Sequence, residues 1–240
     1  MKAPELLELA TQWLSSAYPG SIIVPELSVA DWGGARIDVG AITDNEIVGV
    51  EIKGDGDSPT RLDLQGLVYG KVARRMWLLP TPEGTLAERC AKKKPMGWGT
   101  LEVHGGEVRP KNVARKLGDV EITSYGTRQR WVPDQDTYKP DDAGWSMRQC
   151  PWAMCGTLWR DELYEVARLN NVKTKGRALV SALTDAICEQ MPVPKLHDAM
   201  IDQLRRREWR GLKKGKIIDT RGRDQKRPVQ GDMLRESRNG

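Results

Sequence analysis

The sequence has no phenylalanine, only two histidines (His104 and His197) and only four cysteines in 240 residues. Without Phe, the aromatic core must come from nine tryptophans and five tyrosines, so most Trp side chains are expected inside. Few cysteines agree with a reducing compartment. Cys150 and Cys155, with Cys188 and His197, make a conceivable zinc set, but the spacing of the first two is loose for a structural site and buried free thiols fit better. No apolar run approaches 18 residues, and acids interrupt the apolar stretch after Met1. A membrane span and a signal peptide are therefore not expected, and the protein reads as cytoplasmic. Internal repeats and a Gly-rich phosphate loop are also missing.

A hydrophobic content of 39% with 30% charged residues suits a soluble chain long enough for one substantial domain and a small second one. The net charge of +5 is concentrated at one end. Residues 211–240 hold nine basic side chains, among them Lys213, Lys214 and Lys216, against four acidic ones, so residues 1–210 are neutral overall. That stretch is poor in apolar residues and is expected to be a disordered basic tail, suited to a polyanionic partner or to solubility.

The strongest pattern lies at residues 35–53. Two segments, Ala35 to Ile42 and Ile47 to Lys53, alternate apolar and polar residues around the loop Thr43-Asp44-Asn45-Glu46, which predicts a β-hairpin. If Ile42 pairs with Ile47, Asp38 stands opposite Glu51. Two carboxylates about 5 Å apart repel by roughly 3 kcal/mol at an effective dielectric near 20, a penalty that a cation between them removes. Lys53, two residues beyond Glu51, falls on the same face. Paired carboxylates with an ammonium alongside are equipment for metal-assisted phosphodiester hydrolysis.

The spacing D-x(12)-E-x-K resembles the PD-(D/E)xK nuclease superfamily, with Asp38, Glu51 and Lys53 at its signature positions and Ile37-Asp38 in place of Pro-Asp. A helix is predicted over 60–73, with Ser58 as N-cap and Pro59 at its first position. Gln65 and Tyr69 lie four apart on it. Gln-x3-Tyr after the catalytic strand resembles the RecB-type branch, where these residues border the active site and position the lysine and the DNA backbone. Arg36-Ile-Asp-Val, Val50-Glu-Ile-Lys, Asp57-Ser, Arg61-Leu, Trp98-Gly and Leu158-Trp-Arg-Asp-Glu162 extend the likeness, from about residue 5 to 210, to a poorly characterised bacterial and phage nuclease-like family related to MmcB-type DNA-repair proteins.

The resemblance implies an α/β fold: a restriction-endonuclease-like αβββαβ core with a mixed sheet over 1–123. A Trp- and Pro-rich linker packed on the core, with Trp131, Trp145 and Trp152, follows over 124–156, then a small all-α module over 157–210 and the basic tail over 211–240. Outside the hairpin, helices are predicted at 4–17, 83–94, 157–169, 175–190 and 194–209, and strands at 21–24, 76–79 and 99–103. The stretch from Leu163 to Leu183 is similar to a SAP-type helix, loop, helix unit, which implies DNA contacts by Lys173, Lys175 and Arg177. An ordinary helical bundle with a solvated basic turn is the other reading of it.

The function implied is a Mg2+- or Mn2+-dependent deoxyribonuclease in DNA repair, recombination or phage-host conflict. Asp38, Glu51 and the Ile52 carbonyl would bind metal, Lys53 would position water, and Gln65 and Tyr69 would support them. DNA, single- or double-stranded, is the expected partner, with a second copy or another protein possible through the C-terminal region. The alternative is a non-enzymatic nucleic-acid-binding protein or phage interaction factor that retains the fold.

Overall fold

The computed structural model describes residues 1–29, 35–82, 84–95, 97–111, 115–117, 120–122, 150–174, 179–209 and 217–221. Helix α1 (Ala3–Ala17) opens with Pro4 in its first turn, where the missing N–H costs no hydrogen bond, and buries Leu6, Ala10 and Leu14, spaced by four, as one stripe. Strands β1 (Ile22–Ser28), β2 (Arg36–Ile42) and β3 (Ile47–Lys53) follow. The Ser58 side chain accepts the Thr60 N–H to cap a short 3-10 turn (Pro59–Arg61), which leads into α2 (Leu62–Tyr69). Strand β4 (Arg75–Pro80), helix α3 (Thr85–Lys93) and strand β5 (Gly99–His104) complete the predicted order of helix, three strands, helix, strand, helix, strand.

Strand β6 (Glu107–Pro110) was not expected, although its signal is present. Gly105 and Gly106 both take positive φ between the paired His104 and Glu107, which makes a two-residue hairpin that glycine accommodates without strain. Two short strands, β7 (Arg115–Leu117) and β8 (Val120–Ile122), form a separate hairpin.

Among the described residues four helices follow: α4 (Pro151–Gly156), α5 (Arg160–Leu169), α6 (Val180–Gln190) and α7 (Val193–Arg206). The first falls at the end of the stretch expected as a linker packed on the core over 124–156, of which residues 150–156 are described. Pro151 starts the helix, and Ala153, Met154 and Cys155 are buried. One correction concerns the tail. Strand β9 (Ile218–Asp219) pairs with β1, and the Thr220 hydroxyl donates to the Ser21 carbonyl at 2.7 Å. Ile217 and Ile218 supply apolar contact, and the open edge of β1 supplies backbone partners. The rest of 211–240 lies outside the described residues.

The main sheet is seven-stranded, in the order β6-β5-β4-β3-β2-β1-β9, and mixed: β3, β4 and β5 run parallel while the other neighbours are antiparallel. Strand β3 is central, so all seven of its residues are buried, Glu51 and Lys53 included. On one face α1 covers Ile23, Val39, Val48, Val50, Ile52 and Trp77. The other face carries α2 and α3, and the same continuous cluster takes in α4 to α7. Arg205 of α7 ties these helices to the hairpin tip, donating to the Gly20 and Ile42 carbonyls at 3.2 Å each and pairing with Asp44 at 2.6 Å.

Gly40 and Gly49 face each other across β2 and β3. A Cβ on Gly40 would collide with Leu27 of β1 and one on Gly49 with Met76 of β4 and Ile37 of β2, so the two glycines leave room for side chains of the strands around them.

A candidate active site at the end of the central hairpin

The β2–β3 ladder pairs Ile42 with Ile47, the register the hairpin spacing predicts, and runs to Val39 and Val50, one position short of Asp38 and Glu51. The backbone departs from regular alternation there. Ile37 packs in the α2/α3 layer although Val39, two residues on, belongs to the α1 layer. Across β1, Glu26 stands opposite Asp38 in the register and takes φ of +49°, an uncommon conformation for a residue with a side chain. This slip carries Asp38 to the boundary between the faces, where Oδ2 accepts the Ile52 N–H at 2.7 Å.

Glu51 and Lys53 keep the predicted common face. Lys53 Nζ donates to Glu51 Oε1 at 2.6 Å, and Gln65 Nε2 donates to the same oxygen at 2.6 Å. Lys53 reaches Gln65 Oε1 at 3.4 Å. Gln65 Nε2 also lies 3.2 Å from the Tyr69 hydroxyl, which in turn donates to the Arg36 carbonyl of β2. One glutamine on α2 therefore links both strands of the hairpin, and Asp38, Glu51, Lys53, Gln65 and Tyr69 form one cluster.

Trp98, wholly buried, stacks on Tyr69 with the rings 8° from parallel and 6.0 Å between centroids. Its part in holding the site was not foreseen. Only the pairing Trp98-Gly99 marked it in the sequence, and a stack between residues 29 apart leaves no local pattern. The following loop is held by Asp57 Oδ2, which accepts the Gly54 N–H at 2.8 Å, and by Thr81 Oγ1, which donates to Asp55 Oδ1 at 2.8 Å.

Burial dominates the electrostatics. Asp38 is pushed above the usual carboxylate range by desolvation, against its backbone hydrogen bond from Ile52 and the charge of Lys53. Glu51 is pushed up to about 7 by desolvation first and by the charge of Asp38 second, against Lys53 and Gln65. Burial also raises Tyr69, which stays protonated and remains a donor. Two facing carboxyls thus share one ammonium, which offsets the repulsion incompletely. Glu51 Oε2 is buried with no hydrogen-bond partner.

That unpaired oxygen, aimed from a carboxylate facing a second one, fits a hard divalent cation. Among the described residues no group of three or more His, Cys, Asp or Glu side chains converges on a metal position. A third protein ligand would have to be a backbone carbonyl, such as that of Ile52. Cys155 and Cys188 have their sulfurs 3.9 Å apart, and burial raises both thiols.

Lys173 lies between α5 and α6. Its backbone exchanges two hydrogen bonds with Gln190 on the connection from α5 to α6, and its side chain is exposed. Lys175, Arg177, Lys213, Lys214 and Lys216 lie outside the described residues, as do Trp131 and Trp145. Trp77 and Trp98 are core residues, as expected of most tryptophans, whereas Trp152 and Trp159 are about half exposed. Among the described residues no helix is long and apolar enough to cross a membrane.

Comparison with protein-family models, with curated proteins and with solved structures returns no match.

Proposed function

We propose that the protein is a divalent-metal-dependent nuclease that hydrolyses DNA phosphodiester bonds. The observation that carries this reading is the closeness of Asp38 and Glu51, whose charges act on each other, with an unpaired, buried Glu51 Oε2 and the ammonium of Lys53 bonded to Glu51. A bound Mg2+ or Mn2+ would supply charge neutralisation at a phosphate oxygen and a more acidic water. Asp38, Glu51 and the Ile52 carbonyl would hold it. The resemblance to the PD-(D/E)xK superfamily, RecB-type branch, assigns the same residues.

Within this reading Lys53 changes partner. Its ammonium now neutralises Glu51, and a divalent cation shared by the carboxylates would free it to orient the attacking water. Gln65 accepts Lys53 and donates to Glu51, so it holds both groups at a fixed separation. Tyr69, braced by Trp98 and tied to Arg36, keeps Gln65 in place.

A second reading is a nucleic-acid-binding protein that retains this arrangement without cleaving; the direct Lys53–Glu51 pair favours it, since the site is already neutralised in part. Incubation with circular single-stranded and duplex DNA, with Mn2+ and with chelator, separates them. Metal-dependent cleavage lost in Asp38→Asn supports the nuclease. Binding without cleavage under all conditions supports the second reading.

A further inference from the structure

Helix α3 carries a positive surface that the reading above leaves unused. Arg89, Lys92 and Lys93 stand at i, i+3 and i+4, so they share one helical face, and all three are exposed. Arg61, also exposed, lies on the 3-10 turn that packs against α3. Among the described residues Arg61, Arg89 and Lys92 have no ion-pair partner, and Lys93 has a long contact of 3.9 Å with Asp63.

This face adjoins the candidate site. Cys90, next to Arg89, is fully buried; burial pushes its thiol up, and Lys53 and Arg89 both draw it down, so both cations lie within electrostatic reach of one sulfur. Pro95, just past α3, packs on Gly66, the neighbour of Gln65, where a Cβ would come within 2.6 Å of the proline ring. Helix macrodipoles do not account for these charges. Lys92 and Lys93 in the last turn are favoured by a helix C-terminus, but Arg89 is too far from it, and Arg61 sits at the start of α2, where a cation is disfavoured.

We infer that the exposed face of α3, with Arg61, holds the phosphate backbone of DNA as it leaves the Asp38, Glu51 and Lys53 site. The inference rests on the nuclease reading, which supplies the strand that the face would grip. Recognition is by charge alone, so it is independent of base sequence.

The test is DNA binding in chelator, so that no cleavage intervenes, across a salt series for the wild type and for Arg89→Gln/Lys92→Gln/Lys93→Gln. Loss of three phosphate contacts should flatten the slope of log K against log salt by about 2.7 on duplex and about 2 on single strands. The melting temperature should stay unchanged, and Arg89→Lys/Lys92→Arg/Lys93→Arg should keep the wild-type slope. An unchanged slope in the glutamine variant overturns the inference. So does a wild type that binds neither DNA at low salt, including one that binds polyglutamate instead. Cleavage by Asp38→Asn is assayed separately: if it persists, the catalytic reading fails while the salt slopes still decide the role of α3.

Discussion

Asp38 Oδ2 takes the backbone N–H of Ile52 at 2.7 Å, one position beyond the last ladder pair of Val39 and Val50. A carboxylate thus substitutes for a strand carbonyl where β2 and β3 part, and the proposed metal ligand is also a structural acceptor. Asparagine keeps an acceptor oxygen at this point and alanine does not. Asp38→Asn should therefore be at least as stable as the wild type, since it keeps the hydrogen bond and relieves the repulsion with Glu51, while Asp38→Ala loses about 1–2 kcal/mol from the unpaired N–H, partly offset by the same relief. Chemical denaturation of both variants in chelator measures this. Equal stabilities would show that the hydrogen bond contributes nothing.

Metal binding is read from Asp38→Asn together with Glu51→Gln. Added Mn2+ should raise the melting temperature of the wild type, because an ion held only by the folded state stabilises it by RT ln(1 + [L]/Kd), about 2.7 kcal/mol at 100 times Kd. Asp38→Asn and Glu51→Gln should lose most of that gain. An equal shift in either variant places the ion elsewhere.

The pH dependence follows from Glu51. Its folded-state value, about 7, lies above its ordinary 4.5. Its contribution to stability is therefore fully present below about 4.5 and is lost as pH rises through 7. The metal-free protein should lose up to about 3 kcal/mol over that window from this group, with Asp38, also raised by burial, acting in the same sense. Glu51→Gln should show a flatter profile. Denaturant midpoints between pH 4.5 and 8 settle the matter, and an unaltered fall in the variant would assign the effect to other groups.

Tyr69 is predicted to act through Gln65. Tyr69→Phe keeps the stack on Trp98 but removes the donor to the Arg36 carbonyl and the partner of Gln65 Nε2. A loss of about 1–3 kcal/mol is expected, along with a slower single-turnover cleavage rate at saturating DNA. A variant as fast as wild type would reduce Tyr69 to a packing residue.

The C-terminal segment should divide at residue 221. Deleting 222–240 should leave the melting temperature unchanged, whereas deleting 217–240 removes the Ile218 and Asp219 pairing and two bonds from Thr220 to the Ser21 carbonyl, a loss of about 2–3 kcal/mol. Matched melting temperatures for the two deletions would make β9 dispensable. If the basic residues beyond 221 grip DNA, the shorter deletion should also flatten the salt dependence of binding.

Much of the site was legible because its signals are local. The alternation on either side of a four-residue turn predicts the hairpin and its register from Ile42 and Ile47 to Val39 and Val50. Ser58 and Pro59 announce the start of the segment that carries Gln65 and Tyr69, and the period of the helix puts those two on one face. The hairpin of β5 and β6 was equally available in Gly105-Gly106.

By itself, then, the sequence determined the elements of the core, their order and the register of the central pair, since strand period, turn length and capping are properties of neighbouring residues. Tertiary structure alone decided the rest. The slip at Asp38 lies beside Glu26 of β1, which takes a positive φ. The bridge from Gln65 to Glu51 joins residues 14 apart on a helix and a strand, and the hydroxyl of Thr220 finds Ser21 at a separation of 199. Such contacts depend on which layers pack together, and the burial that raises Asp38 and Glu51 arises only when helices close over both faces of the sheet.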